Sequence, residues 1–194
     1  MKRIIIGSLI GGIILFIWSF LAWAVLPVHL HTYKYSAAQD NILKVLIENL
    51  PESGVYALPM ADNTNATAFD EKYQAESEKL MTEYVDKPIA SIYYLKEGYN
   101  MGGATMLRGF LFNFLAALAA CIMLAPGFAA TSSFFGRWWL VLVAGLFINA
   151  CGPLVQYNWM GTPWAFAVDL IMDNFLNWGI VGLWFAYYFK PANG

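Results

Sequence analysis

Four stretches of this sequence are longer and more apolar than the interior of a small soluble domain can use: Ile4 to Leu26, Met106 to Leu124, Trp138 to Val155 and Ala165 to Phe189. A helix rises about 1.5 Å per residue and the hydrocarbon layer of a bilayer is about 30 Å thick, so about 20 consecutive apolar residues cross it. Backbone amides in lipid meet no water and must be satisfied within their own segment, which selects helices over open strands. Composition points the same way. With 59% hydrophobic and 12% charged residues the chain is neither soluble nor disordered, and a net charge of −2 gives no basic field for nucleic acid. The expected fold is an all-α four-helix transmembrane bundle, its bilayer the first partner, with a small α+β extracytoplasmic domain between spans one and two.

The first stretch exceeds the roughly 7 to 15 apolar residues of a signal-peptide core and reads as a retained span, despite the small-x-small pattern Ala22-Trp23-Ala24. Cations flanking the spans resist translocation, so Lys2, Arg3, Arg137 and Lys190 mark the cytoplasmic side, and both termini are expected there. Residues 27 to 105 then lie outside, with six lysines against eleven acids. Residues 1 to 26 form the first span and residues 106 to 194 the other three. Trp138, Trp139, Tyr157, Trp159, Trp164, Tyr187 and Tyr188 fall near the span ends, where amphipathic rings suit the headgroup zone.

In the outer segment, Ser36 and Gln39 suggest a capping box ahead of a helix that gathers Leu43, Leu46, Ile47 and Leu50 on one face. Strands are expected at Val55 to Leu58 and Ile89 to Leu95, a loop at Met60 to Ala68, and a second helix at about Asp70 to Val85 that groups Tyr73, Leu80 and Tyr84. The segment carries no G-x-S-x-G, P-loop, H-E-x-x-H or cysteine pair. No cofactor is implied, and a non-enzymatic role is expected. His29 and His31 are weak metal candidates, because residues two apart share a side only in an extended segment and further ligands are not evident. Cys121 and Cys151 fall at different depths of spans two and three, too far apart for a disulfide.

The residues that lipid penalises carry the most information. Asp169, Asp173 and Asn177 recur every four residues on span four and form one stripe, with Asn174 beside it. A carboxylate at mid-membrane costs about 2.5 to 3.5 kcal/mol, so the stripe is expected to face inward. Arg108, Asn113 and Asn149 lie at similar depth, and the expected cluster is Arg108, Asn113, Asn149, Asp169, Asp173 and Asn177, with Arg108 paired to Asp169. Gly7 and Gly11 in G-x-x-x-G spacing, with Gly179 and Gly182, allow close helix approach. Gly152-Pro153 is expected to kink or end span three, and Ala125-Pro126-Gly127 to end span two.

The layout from Met1-Lys2-Arg3-Ile4-Ile5-Ile6-Gly7 through Trp18, Trp23 and Pro27 to Trp178-Gly179-Ile180-Val181-Gly182-Leu183-Trp184 resembles a group of bacterial four-span inner-membrane proteins. That resemblance covers the whole chain and implies no activity. Four spans with a large first outer loop are also similar to claudin-like proteins. Their outer loop, however, carries G-L-W and a cysteine pair, whereas Gly182-Leu183-Trp184 lies in span four and the loop here has no cysteine. The functional expectation is an accessory or assembly subunit that docks a larger membrane complex, or a second copy, through its outer domain and polar bundle face. The alternatives are a small proton- or ion-coupled transporter using Asp169 and Asp173, and a lipid- or quinone-binding protein in which Arg108 meets an anionic headgroup.

Overall fold

The structure, a computed structural model, describes residues 1–67, 70–124 and 133–190. In chain order, α1 (Lys2–Phe20) runs into a π-helical turn (Leu21–Val25) and a 3-10 turn (Pro27–His29), followed by α2 (Gln39–Asn49), β1 (Gly54–Leu58), α3 (Glu71–Glu83) and β2 (Ala90–Tyr94). Then come α4 (Gly103–Leu124), α5 (Phe134–Cys151), α6 (Pro153–Met160) and α7 (Trp164–Tyr188). Four helical stretches are long and apolar enough to cross a membrane: α1 with its π turn, α4, α5 continued by α6, and α7.

Gly152-Pro153 bends the third stretch without ending it. Pro153 opens α6, where a first-turn residue needs no N–H partner, and the helix runs on to Met160 before Gly161 closes it with a φ of 66°. The expected stop at Ala125-Pro126-Gly127 lies outside the described residues.

The described residues of Met1–Tyr35 and Asn100–Gly194 form one compact unit, and Ser36–Tyr99 forms another. In the first, α1 packs along α4 and against α7, and α5 packs on α7, whereas α4 and α5 scarcely touch. The core between them holds Leu15, Ala117, Cys121, Leu124, Val141, Val181 and Phe185. Ile5, Leu9, Ile13 and Ile17, four residues apart on α1, are exposed, as are Leu111 and Leu115 on α4 and Leu176, Ile180 and Leu183 on α7. These helices are therefore apolar on their outer faces as well as their inner ones.

Small residues set the closest approaches. A Cβ on Gly7 would lie 3.0 Å from the Tyr188 ring, and one on Gly11 would lie 2.5 Å from Phe185. On Gly12 it would meet the Phe114 backbone at 2.8 Å, and on Gly182 it would come 3.0 Å from Trp138, whereas Gly179 has only Leu142, at 3.8 Å. Gly7 and Gly11 thus meet α7, and Gly12 lets α1 lie directly on α4.

In the second unit β1 and β2 pair antiparallel, Gly54 opposite Tyr94 and Leu58 opposite Ala90. Helix α3 is capped by Asp70, whose side chain accepts from Tyr73 N at 2.9 Å. Helix α2 does not use the expected capping box. Ser36 Oγ accepts from Ala38 N at 3.2 Å, a local turn ahead of the helix, and Ala38 is the cap. Neither α2 nor α3 has a buried residue, and the buried hydrophobic side chains among this unit's described residues are Ala61 and Tyr94. Tyr73, Leu80 and Tyr84 line an open cavity of about 300 Å³ with Pro59, Met60 and Ile89.

Candidate functional site: an Asp–His–Asp cluster between α1 and α7

Residues four apart on a helix share a face, so Asp169 and Asp173 on α7 point the same way. That way is toward the end of α1. His29 Nδ1 lies 2.6 Å from Asp169 Oδ2, and Thr32 Oγ1 lies 3.2 Å from the same oxygen and 2.8 Å from the His29 carbonyl. Asp173 accepts from two indoles, Trp18 Nε1 at 2.8 Å and Trp23 Nε1 at 3.3 Å. Trp23 also stacks on the His29 ring, with centroids 3.8 Å apart and 19° between planes, and Tyr33 meets Trp23 edge-on.

The π-helical turn makes this arrangement possible. In a regular α-helix residues five apart diverge by about 140°. A turn with i to i+5 hydrogen bonds, seen here as Leu26 N to Leu21 O at 2.7 Å, brings residues five apart back toward one side, so Trp18 and Trp23 both reach Asp173. Pro27 then opens the short turn that carries His29 beneath Trp23.

The three ionisable side chains are largely withdrawn from water, with 6% of His29, 9% of Asp169 and 14% of Asp173 exposed. His29 Nε2 is buried and has no hydrogen-bond partner among the described residues; Asp173 Oδ2, at 3.9 Å, is within ion-pair range but too far to accept from it.

The remaining polar residues fall elsewhere. Asn174, one position beyond Asp173, is turned about 100° around the helix and faces α5, where its Nδ2 donates to Asn149 Oδ1 at 2.8 Å. Asn149 is 1% exposed, so this pair is a separate interior contact. Asn177 lies one turn further along α7, and its Oδ1 is buried with no partner among the described residues. Asn113 is half-buried on α4 and joins neither group.

Arg108 does not pair with Asp169. It is exposed and donates to Thr105 Oγ1 at 3.0 Å on its own helix, because the carboxylate face of α7 is turned to α1, not to α4. Arg108→Ala is therefore expected to change stability by no more than about 0.5 kcal/mol, as measured by denaturant unfolding in detergent. A loss above about 2 kcal/mol would mean that it meets a buried acid after all.

His31 is exposed, and no group of three His, Cys, Asp or Glu able to hold a metal occurs among the described residues. Both cysteines are free, Cys121 buried and Cys151 exposed. The cationic ends of the helices make their own contacts. Arg137, 4% exposed, donates through Nε to the Ala186 carbonyl at 2.8 Å, and Arg3 donates to the Lys190 carbonyl at 2.6 Å. Where α4 and α5 part, an apolar cleft of about 400 Å³ opens, lined by Ala116, Ala120, Leu140, Ala144, Phe147 and Trp178.

Sequence reasoning placed the two carboxylates on one inward stripe but missed Trp18, Trp23 and Thr32, and gave His29 no role beside them. The available signal was His29 itself, an ionisable residue just past the end of the first span, level with two acids in want of a cation. Comparison of the chain with protein-family models, with curated proteins and with solved structures finds no match.

Proposed function

We propose that the protein is a multi-pass accessory subunit of a bacterial inner membrane, non-enzymatic, that docks a larger membrane complex. Its four long helices cross the bilayer as a bundle with both termini cytoplasmic, and Ser36–Tyr99 lies on the outer side. The cations Lys2, Arg3, Arg137 and Lys190 near the span ends support this orientation.

The observation that carries the docking role is the uncovered apolar surface of the outer unit. Ile42, Leu43, Val45 and Ile47 on α2 are each half or more exposed, and Val55, Val85, Ile89 and Tyr93 are more than three-fifths exposed. A small domain that buries so little gains little of its own stability from packing, and contiguous exposed apolar side chains are the mark of an interaction surface. The carboxylates of α7 have partners within the chain, so this reading rests on the apolar surface of Ser36–Tyr99 and not on the polar face of α7.

A photo-activatable residue at Leu43 tests this in native membranes, with one at Glu48, on the opposite side of α2, as control. Leu43 is expected to give a discrete adduct with one membrane protein or with a second copy, and Glu48 none. Adducts of equal yield from both positions, or no adduct from Leu43, would overturn the docking role.

A further inference from the structure

We propose that Asp169, His29 and Asp173 form a proton-binding site, in which a proton on His29 Nε2 supplies the positive charge that the two carboxylates of α7 otherwise lack. The argument begins with donors. Asp173 faces two indole N–H groups, which can only donate, and Asp169 faces the His29 Nδ1 position and the Thr32 hydroxyl. Asp173 is thus held purely as an acceptor, and the short Asp169–His29 contact holds one proton between its two atoms, the lone Thr32 proton being committed to the nearer His29 carbonyl; both acids are withdrawn from water.

Buried anions need a cation, and the other candidates are accounted for. On α4, Arg108 is held by Thr105. On α5, Arg137 reaches Ala186, about 20 Å along α7 from Asp173. At the opposite end of α1, Arg3 reaches the Lys190 carbonyl. Beyond His29, Lys34 donates to the His31 carbonyl, and Tyr33 meets Trp23 and Phe166 through its ring. Among the described residues, His29 alone lies within ion-pair range of either acid.

The unpartnered ring nitrogen completes the case. A neutral imidazole donating from Nδ1 to Asp169 would turn the Nε2 lone pair toward Asp173 Oδ2, 3.9 Å away, leaving a buried acceptor opposite an anion. A proton taken from water by that lone pair converts the repulsion into an N–H···O contact and changes the charge of the three groups from −2 to −1. The stacked Trp23 face favours the charged ring further. Proton binding in this way fastens the segment after α1 to α7, independently of the docking role proposed above.

The chain has two histidines, so 15N-histidine labelling of the purified full-length protein gives two ring systems, which His31→Gln assigns. The expected result at neutral pH is a His29 with both ring nitrogens protonated. In Asp173→Asn, the ratio of doubly to singly protonated His29 is expected to fall about tenfold or more, the effect of removing one adjacent charge. A wild-type His29 carrying only the Nδ1 proton would overturn the proposal even if the variant failed to fold. An unchanged ratio in a folded Asp173→Asn would do so equally.

Discussion

His29→Ala lowers unfolding stability by about 3 to 5 kcal/mol, the cost of leaving two buried acids without the ring that meets them. The substitution removes the ring that spans Asp169 and Asp173 and strips Trp23 of its stacked neighbour. The loss is specific to stranded charge, so the triple variant His29→Ala, Asp169→Asn, Asp173→Asn recovers most of it: a neutral amide at 173 still accepts from Trp18 and Trp23, and neither amide needs a cation. Denaturant titration in mild detergent, followed by tryptophan emission, measures both variants. If the triple variant is no more stable than the single one, the histidine acts by filling space and its charge is immaterial.

The second large effect is expected far from any charge. Gly12→Val places a branched side chain whose Cβ would lie 2.8 Å from the Phe114 Cα, a backbone atom that cannot swing aside. Helices α1 and α4 must then part along their contact, at a cost of about 1 to 3 kcal/mol. Gly109→Ala is the matched control, in the interior of α4. There the new Cβ finds only the Phe16 ring at 3.7 Å, an ordinary contact, and removing a helical glycine is worth about 0.5 to 1 kcal/mol of stabilisation. Opposite signs for the two variants in the same unfolding assay would locate the tight seam at Gly12, and equal small effects would dissolve it.

The four long helices were legible in the sequence because hydropathy over about 20 residues is an additive property that needs no knowledge of neighbours. The inward direction of Asp169 and Asp173 followed from their spacing and the cost of exposing them to lipid. What could not be read was which neighbour they face. Depth along a helix comes from counting residues, but rotation about its axis depends on packing, and Arg108 was matched to Asp169 on depth alone. The glycines show the same limit. Gly7 and Gly11 form a recognisable motif, yet Gly12 makes the closest approach to backbone, and only the position of Phe114 singles it out. In the unit Ser36–Tyr99 the helix and strand signals were local and readable, whereas Ser36 does not cap α2, its side chain accepting from Ala38 N in a turn ahead of it.

The turn between Leu21 and Val25 contains one residue more than a regular helix would need over the same rise. Wound as a regular helix, the same residues would put Trp23 about 140° from Trp18 and turn its indole away from Asp173; with Leu21 or Ala22 removed, the two indoles would stand four residues apart and share a face under ordinary winding. The widened turn and the fivefold spacing of the indoles are thus one feature seen twice: a chain with the extra position needs the π winding to bring Trp18 and Trp23 together, and a chain without it would reach the same pairing with even winding.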